Sequence, residues 1–141
     1  TNQGLFQKIV SGTRAISSRF SNLAGDVEVS NGNLNLTGSG NTFSDADFTI
    51  NASSAIGIDG NTTWSGAITG AGAGVLHWSP TTNSAQTIGA GGATVTTPCG
   101  MWQMALGSIV GTGTLTVPSG TLFTNNAPGG NNVTLTTTMV V

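Results

Sequence analysis

The chain has 141 residues, of which only 6% are charged, and a formal net charge of −2. Three basic residues against five acidic ones argue against a nucleic-acid binder, which needs clustered Lys and Arg to neutralise phosphates, and against an anionic membrane surface for the same reason. No apolar run reaches the roughly 20 residues that cross a bilayer as a helix, no secretory leader is legible, and the single cysteine, Cys99, leaves no intrachain disulfide.

The length fits one domain with an N-terminal appendage. Gly accounts for 22 residues, and with Thr it favours short strands and tight turns over helices. Gly does not fall at every third place, so the chain is not collagen-like. Low net charge and recurrent Val, Ile, Leu, Phe and Trp argue against disorder. All eight formal charges lie between Lys8 and Asp59, and from there to Val141 only His77 titrates near neutral pH. An isolated domain carries about 25% charged residues over its surface. A surface this poor in charge is open to self-association, and much of it reads as subunit interface.

Residues 3–24 read as an amphipathic helix or arm. Leu5, Phe6, Ile9, Val10, Ile16, Phe20 and Leu23 fall near a 3–4 residue spacing, with polar residues between them. Gly12-Thr13 is a possible break and Gly25 a stop. Residues 1–25 are therefore expected to be an anchoring segment, and 26–141 a Gly/Thr/Asn-rich β domain.

From Asp26 the pattern turns to period two. Val27 and Val29 alternate with Asp26, Glu28 and Ser30, Asn31-Gly32 signals a tight hairpin turn, and Asn33 to Thr37 alternates again. Leu34 to Thr37 followed by Gly40-Asn41-Thr42-Phe43-Ser44 is echoed by Ile56 to Asp59 followed by Gly60-Asn61-Thr62-Thr63-Trp64-Ser65. This repeat of about 20 residues is what a chain laying down successive short strands produces. Further strands are expected at Val75 to Trp78, Ala85 to Ile88, Ala93 to Thr97, Met101 to Leu106, Thr112 to Val117, Thr121 to Thr124 and Val133 to Val141, separated by Gly- and Pro-containing turns. The fold class is mainly β, with short antiparallel strands arranged as a sandwich, a jelly roll or a solenoid. The last stretch is uncharged and β-prone and needs a partner strand.

Little in the chain carries chemistry. His77 is the only histidine, no Gly-x-Ser-x-Gly elbow occurs, and Asp45 with Asp47 lacks the rest of a calcium loop. No catalytic residue, metal site or cofactor is expected, and the chain does not read as an enzyme. Cys99 reads as a small buried apolar residue. Trp64, Trp78 and Trp102 read as core or interface residues, with a glycan-stacking platform as the alternative. Asn35, Asn51, Asn61 and Asn132 each open Asn-x-Ser/Thr, a weak signal in a chain of this composition.

The run Gly25 to Thr37, with Thr112 to Val117 and Ser119-Gly120-Thr121-Leu122, resembles the strand-turn phrases of bacteriophage fibre and appendage proteins. That resemblance implies a β-rich, trimeric virion component with an N-terminal segment fixing it to the particle. The expected function is a structural fibre, spike or decoration subunit at the virion surface, assembling with itself and with other virion subunits. Leu5, Phe6, Ile9, Val10, Ile16, Phe20, Val133, Leu135 and Val140 are the expected interface. One alternative is a subunit of an extracellular filament at a cell surface, completed by the donor strand Val133 to Val141. The other is a carbohydrate-binding module that uses the tryptophans on a host-surface glycan.

Overall fold

A computed structural model describes residues 1–98, 100–121, 124–125 and 134–141. Among them every regular element is a strand, and every pairing is parallel. The strands are β1 (Leu5–Lys8), β2 (Thr13–Ile16), β3 (Ser21–Leu23), β4 (Asp26–Val29), β5 (Asn33–Leu36), β6 (Asn41–Ile50), β7 (Ala55–Ile58) and β8 (Thr62–Ala71). They continue with β9 (Val75–Trp78), β10 (Ala85–Thr96), β11 (Trp102–Met104), β12 (Ser108–Gly111), β13 (Thr114–Thr116), β14 (Thr124–Asn125), β15 (Thr134–Leu135) and β16 (Thr138–Val140).

The chain winds as a β-solenoid. One sheet runs β1-β4-β6-β8-β10-β12-β15, with β3, β13 and β16 attached, and the other runs β14-β11-β9-β7-β5-β2. Leu5 stands opposite Asp26, Asp26 opposite Asp47 and Asp47 opposite Thr69, so a coil takes about 21 residues, the period read in the sequence. The echo between the two repeats is the register itself: Leu34 faces Ile56, Leu36 faces Ile58, Phe43 faces Trp64 and Ser44 faces Ser65.

The expected antiparallel pairing is corrected. Asn31-Gly32 does turn the chain, with Gly32 at φ 73°. It passes β4 in one sheet to β5 in the other, and neither strand pairs with its sequence neighbour. Alternation fixes which side chains point inward, and a hairpin and a solenoid share that alternation; the partner strand is a non-local choice.

The N-terminal helix is also corrected. Residues 5–8 and 13–16 are β1 and β2, paired with β4 and β5, and residues 1–25 form the first coil of the same solenoid, not an appendage. Near-helical spacing arose from two short strands and their turns. Gly4 and Gly12 disfavour a helix, while the paired backbone and the aromatic column beneath favour the strand.

The interior is a set of columns. Val27, Val29, Phe48 and Ile50 come from one leg of the first sheet, Phe43, Trp64 and Ile88 from the other, and Leu34, Leu36, Ile56, Ile58, Leu76, Trp78, Trp102 and Met104 from the second sheet; all are buried. The two legs meet at a line of left-handed residues. Ala24 (φ 55°) follows β3, Asp45 (φ 48°) breaks β6, and Gly66 (φ 71°) breaks β8. These positions lie side by side, because Leu23, Ser44 and Ser65 are in register just before them. Such bulges bend a strand, so each coil has three sides.

Candidate assembly surfaces

Aromatic rings run through the interior along the solenoid axis. Phe6 meets Phe20 edge-on at 5.3 Å, Phe20 lies 5.9 Å from Phe43, and Phe43 stacks on Trp64 at 4.7 Å. Trp64 stacks on Trp78 at 4.2 Å, and Trp78 meets Trp102 edge-on at 4.8 Å. Contacts of this kind add about 0.5–1.5 kcal/mol each beyond area burial. All three tryptophans are 0% exposed. The glycan platform is therefore corrected: no indole face is open to a sugar ring, because the three side chains alternate inward with the core.

Polar side chains hold the turns. Asn41 accepts from the Phe20 N–H at 2.8 Å and donates to the Gly38 carbonyl at 2.7 Å. Asn22 accepts from Asn2 Nδ2 at 2.6 Å and donates to the Gly25 carbonyl at 2.6 Å. Asn61 Oδ1 accepts from the Ala85 N–H at 2.8 Å. Buried Asp59 accepts from the N–H groups of Thr81 (2.8 Å) and Thr82 (3.1 Å) and from the Thr81 hydroxyl (2.8 Å). Inside, Gln86 accepts from Trp64 Nε1 at 2.8 Å and donates to Ser79 Oγ at 3.0 Å. These roles were missed at the sequence level. Their legible signal was the recurrence of Gly-Asn-Thr ahead of β6 and β8.

Charges on the outside are tied into the sheet. Asp45 accepts from the Ala67 N–H at 3.0 Å, and Asp47 accepts from the Thr69 hydroxyl at 2.9 Å. The Ser30 hydroxyl, and secondarily the Gln7 side chain, hold the Glu28 carboxyl below its ordinary range. His77 Nε2 donates to Gln103 Oε1 at 3.0 Å on the outer face of the second sheet. Lys8 is buried, and its ammonium donates to the carbonyls of Val10 and Asn31, each at 2.6 Å. No group of three or more metal-ligating side chains occurs among the described residues.

The expected interface residues separate into two groups. Leu5 (60% exposed), Ile9 (63%) and Val10 crown the N-terminal end, where Phe6, Ile16 and Phe20 are half-buried against the core. Leu135, Val140 and Val141 (89%) are exposed at the other end. Val133 and Cys99 lie outside the described residues. Among the described residues, β1 pairs only with β4, β2 only with β5, β15 only with β12 and β16 only with β13. A shallow groove of about 250 Å³ lies on the side of the solenoid, lined by Gly66, Gly91, Thr94, Thr112, Thr114 and their neighbours.

Compared with family models, with curated proteins and with solved structures, the chain matches none.

Proposed function

We propose that the protein is a structural building block of a fibre or spike at the surface of a virion, and that it assembles with copies of itself. One observation carries the reading. Among the described residues, the large exposed apolar side chains are Leu5, Ile9, Val10 and Leu23 towards one end and Leu135, Val140 and Val141 at the other. Between the ends, the outward positions of the long strands are filled by Thr, Ser, Asp, Gly and Ala. A protein that buries apolar area on assembly, worth about 25 cal/mol per Å², has that area at its tips. This favours end-to-end growth over the trimer that the resemblance to fibre proteins implies. A subunit of a cell-surface filament uses the same feature, since unpaired strand edges are what strand addition consumes.

Light scattering after size exclusion, with electron microscopy of the same fraction, tests the reading. Open-ended rods that lengthen with protein concentration are expected. A discrete particle of three chains would restore the trimer, and a monomer at every concentration would overturn the assembly reading.

A further inference from the structure

We propose that the turn between β4 and β5 is a site of self-modification, in which buried Lys8 promotes closure of Asn31 and Gly32 into a succinimide. The end product is a carboxylate beside the only lysine of the chain. The site does not depend on how copies assemble.

Asn31-Gly32 is the only place in the sequence where Gly follows Asn. In such a pair the main-chain nitrogen of the glycine reaches the side-chain amide carbon of the asparagine, since no Cβ hinders the approach. The bond from Gly32 N to Asn31 Cγ forms, the bond from Cγ to Nδ2 breaks, and the N–H proton leaves on Nδ2 as ammonia. Water then adds to either carbonyl of the imide and opens it, to Asp or to the β-linked isomer isoaspartate. Nothing is oxidised or reduced, and water is the only co-reactant.

The turn presents the pair for this reaction. Asn31 is exposed and lies outside the strands. The backbone around it is tied: the Ser30 N–H donates to the Lys8 carbonyl at 2.9 Å, the Asn33 N–H donates to the Gly12 carbonyl at 3.0 Å, and the Gly32 carbonyl accepts from the Ala55 N–H at 3.3 Å. Among the described residues no backbone acceptor takes up the Gly32 N–H. Glycine is imposed here, because φ is 73° and a Cβ would run into the Gly12 carbonyl oxygen. The fold thus demands half of the reactive pair. By register the same turn carries Ser11-Gly12 in the coil before and Ser53-Ser54 in the coil after, so the side-chain amide is particular to this coil.

Lys8 supplies the acceleration. It is buried, and its ammonium donates to the carbonyls of Asn31 and Val10, each at 2.6 Å. The Asn31 carbonyl belongs to the same peptide group as the Gly32 nitrogen. When that nitrogen gives up its proton to attack, the negative charge is shared with this oxygen, and a hydrogen bond from a cation strengthens as charge builds on its acceptor. Both partners of the ammonium are neutral carbonyls. A buried cation without a counter-charge is costly, and the carboxylate formed at residue 31 provides one.

The test follows the Asn31 amide in the full-length protein in warm neutral buffer, by peptide mass mapping, with enzymatic methylation of isoaspartate as a second readout. The same protein unfolded in guanidinium, where the Lys8 contact is gone, gives the rate of the bare Asn-Gly pair. Conversion should be faster in the folded protein by about tenfold or more, the scale of a hydrogen bond to a charged group. A folded protein that keeps its amide longer than the unfolded chain would overturn the proposal, and this comparison needs no variant. Lys8→Met, with its fold checked by circular dichroism, should lose the acceleration; an unchanged rate would overturn the role of Lys8. Asn31→Gln should abolish the signal, and a signal that persists would overturn its assignment to this turn.

Discussion

The central coils and the terminal coils use the same kinds of residue to different ends. Val27, Val29, Leu34 and Leu36 sit between neighbours above and below and are buried. Leu5, Ile9 and Val140, on coils with a neighbour on one side, are about half exposed or more. A single coil cannot bury its own apolar residues; stacking does it. The end coils thus have stability to gain from a partner, and the central coils have none.

Substitutions in the central coils should break the fold, and those at the ends should break only assembly. The largest loss is expected from Trp64→Ala, which removes the ring between Phe43 and Trp78. Chemical denaturation should register about 3–5 kcal/mol, as for other buried aromatic truncations. Gly60→Ala comes next: a Cβ there would lie 1.8 Å from the Gly38 carbonyl oxygen of the coil before, and the backbone must shift at a cost of about 1–3 kcal/mol. Asp59→Ala strands the N–H groups of Thr81 and Thr82, and about 1–3 kcal/mol should be lost in the same assay. Ile9→Ser should change monomer stability by no more than about 0.5 kcal/mol, and, if the end-to-end proposal holds, microscopy should show shorter rods than for the wild type. A large loss of monomer stability would show that the end coil is not a free surface.

The smallest effect concerns pH. The Glu28 pKa is lowered in the fold, first by the Ser30 hydroxyl and then by Gln7. Its contribution is therefore present above the ordinary glutamate range and is lost as pH falls through the lowered value. The group lies at the surface, partly exposed, so solvent screening keeps the effect small. Thermal melts of the wild type and Glu28→Gln should converge in acid and separate slightly near neutrality.

Strand alternation, the turn residues and the 20-residue echo were legible because each is local. Val27-x-Val29 and Leu34-x-Leu36 point inward whichever strand lies beside them, and the Gly-Asn-Thr echo marks the coil period. Residues 3–24 read as a helix or arm because short strands joined by turns, β1, β2 and β3, mimic a 3–4 residue spacing, and only the column beneath distinguishes them. The tryptophans carry no local sign of depth; burial came from Phe43, Trp64 and Trp78 falling one above another.

By itself the sequence determined a mainly β chain, its repeat length, its inward residues and a surface poor in charge, since these depend on residue type and spacing. The tertiary structure decided that the strands pair in parallel with the next coil, that the N-terminal segment is a coil like the others, and that exposed apolar residues lie at the two tips. Those outcomes depend on which strand, distant in sequence, completes each backbone's hydrogen bonds, and no local pattern encodes that choice.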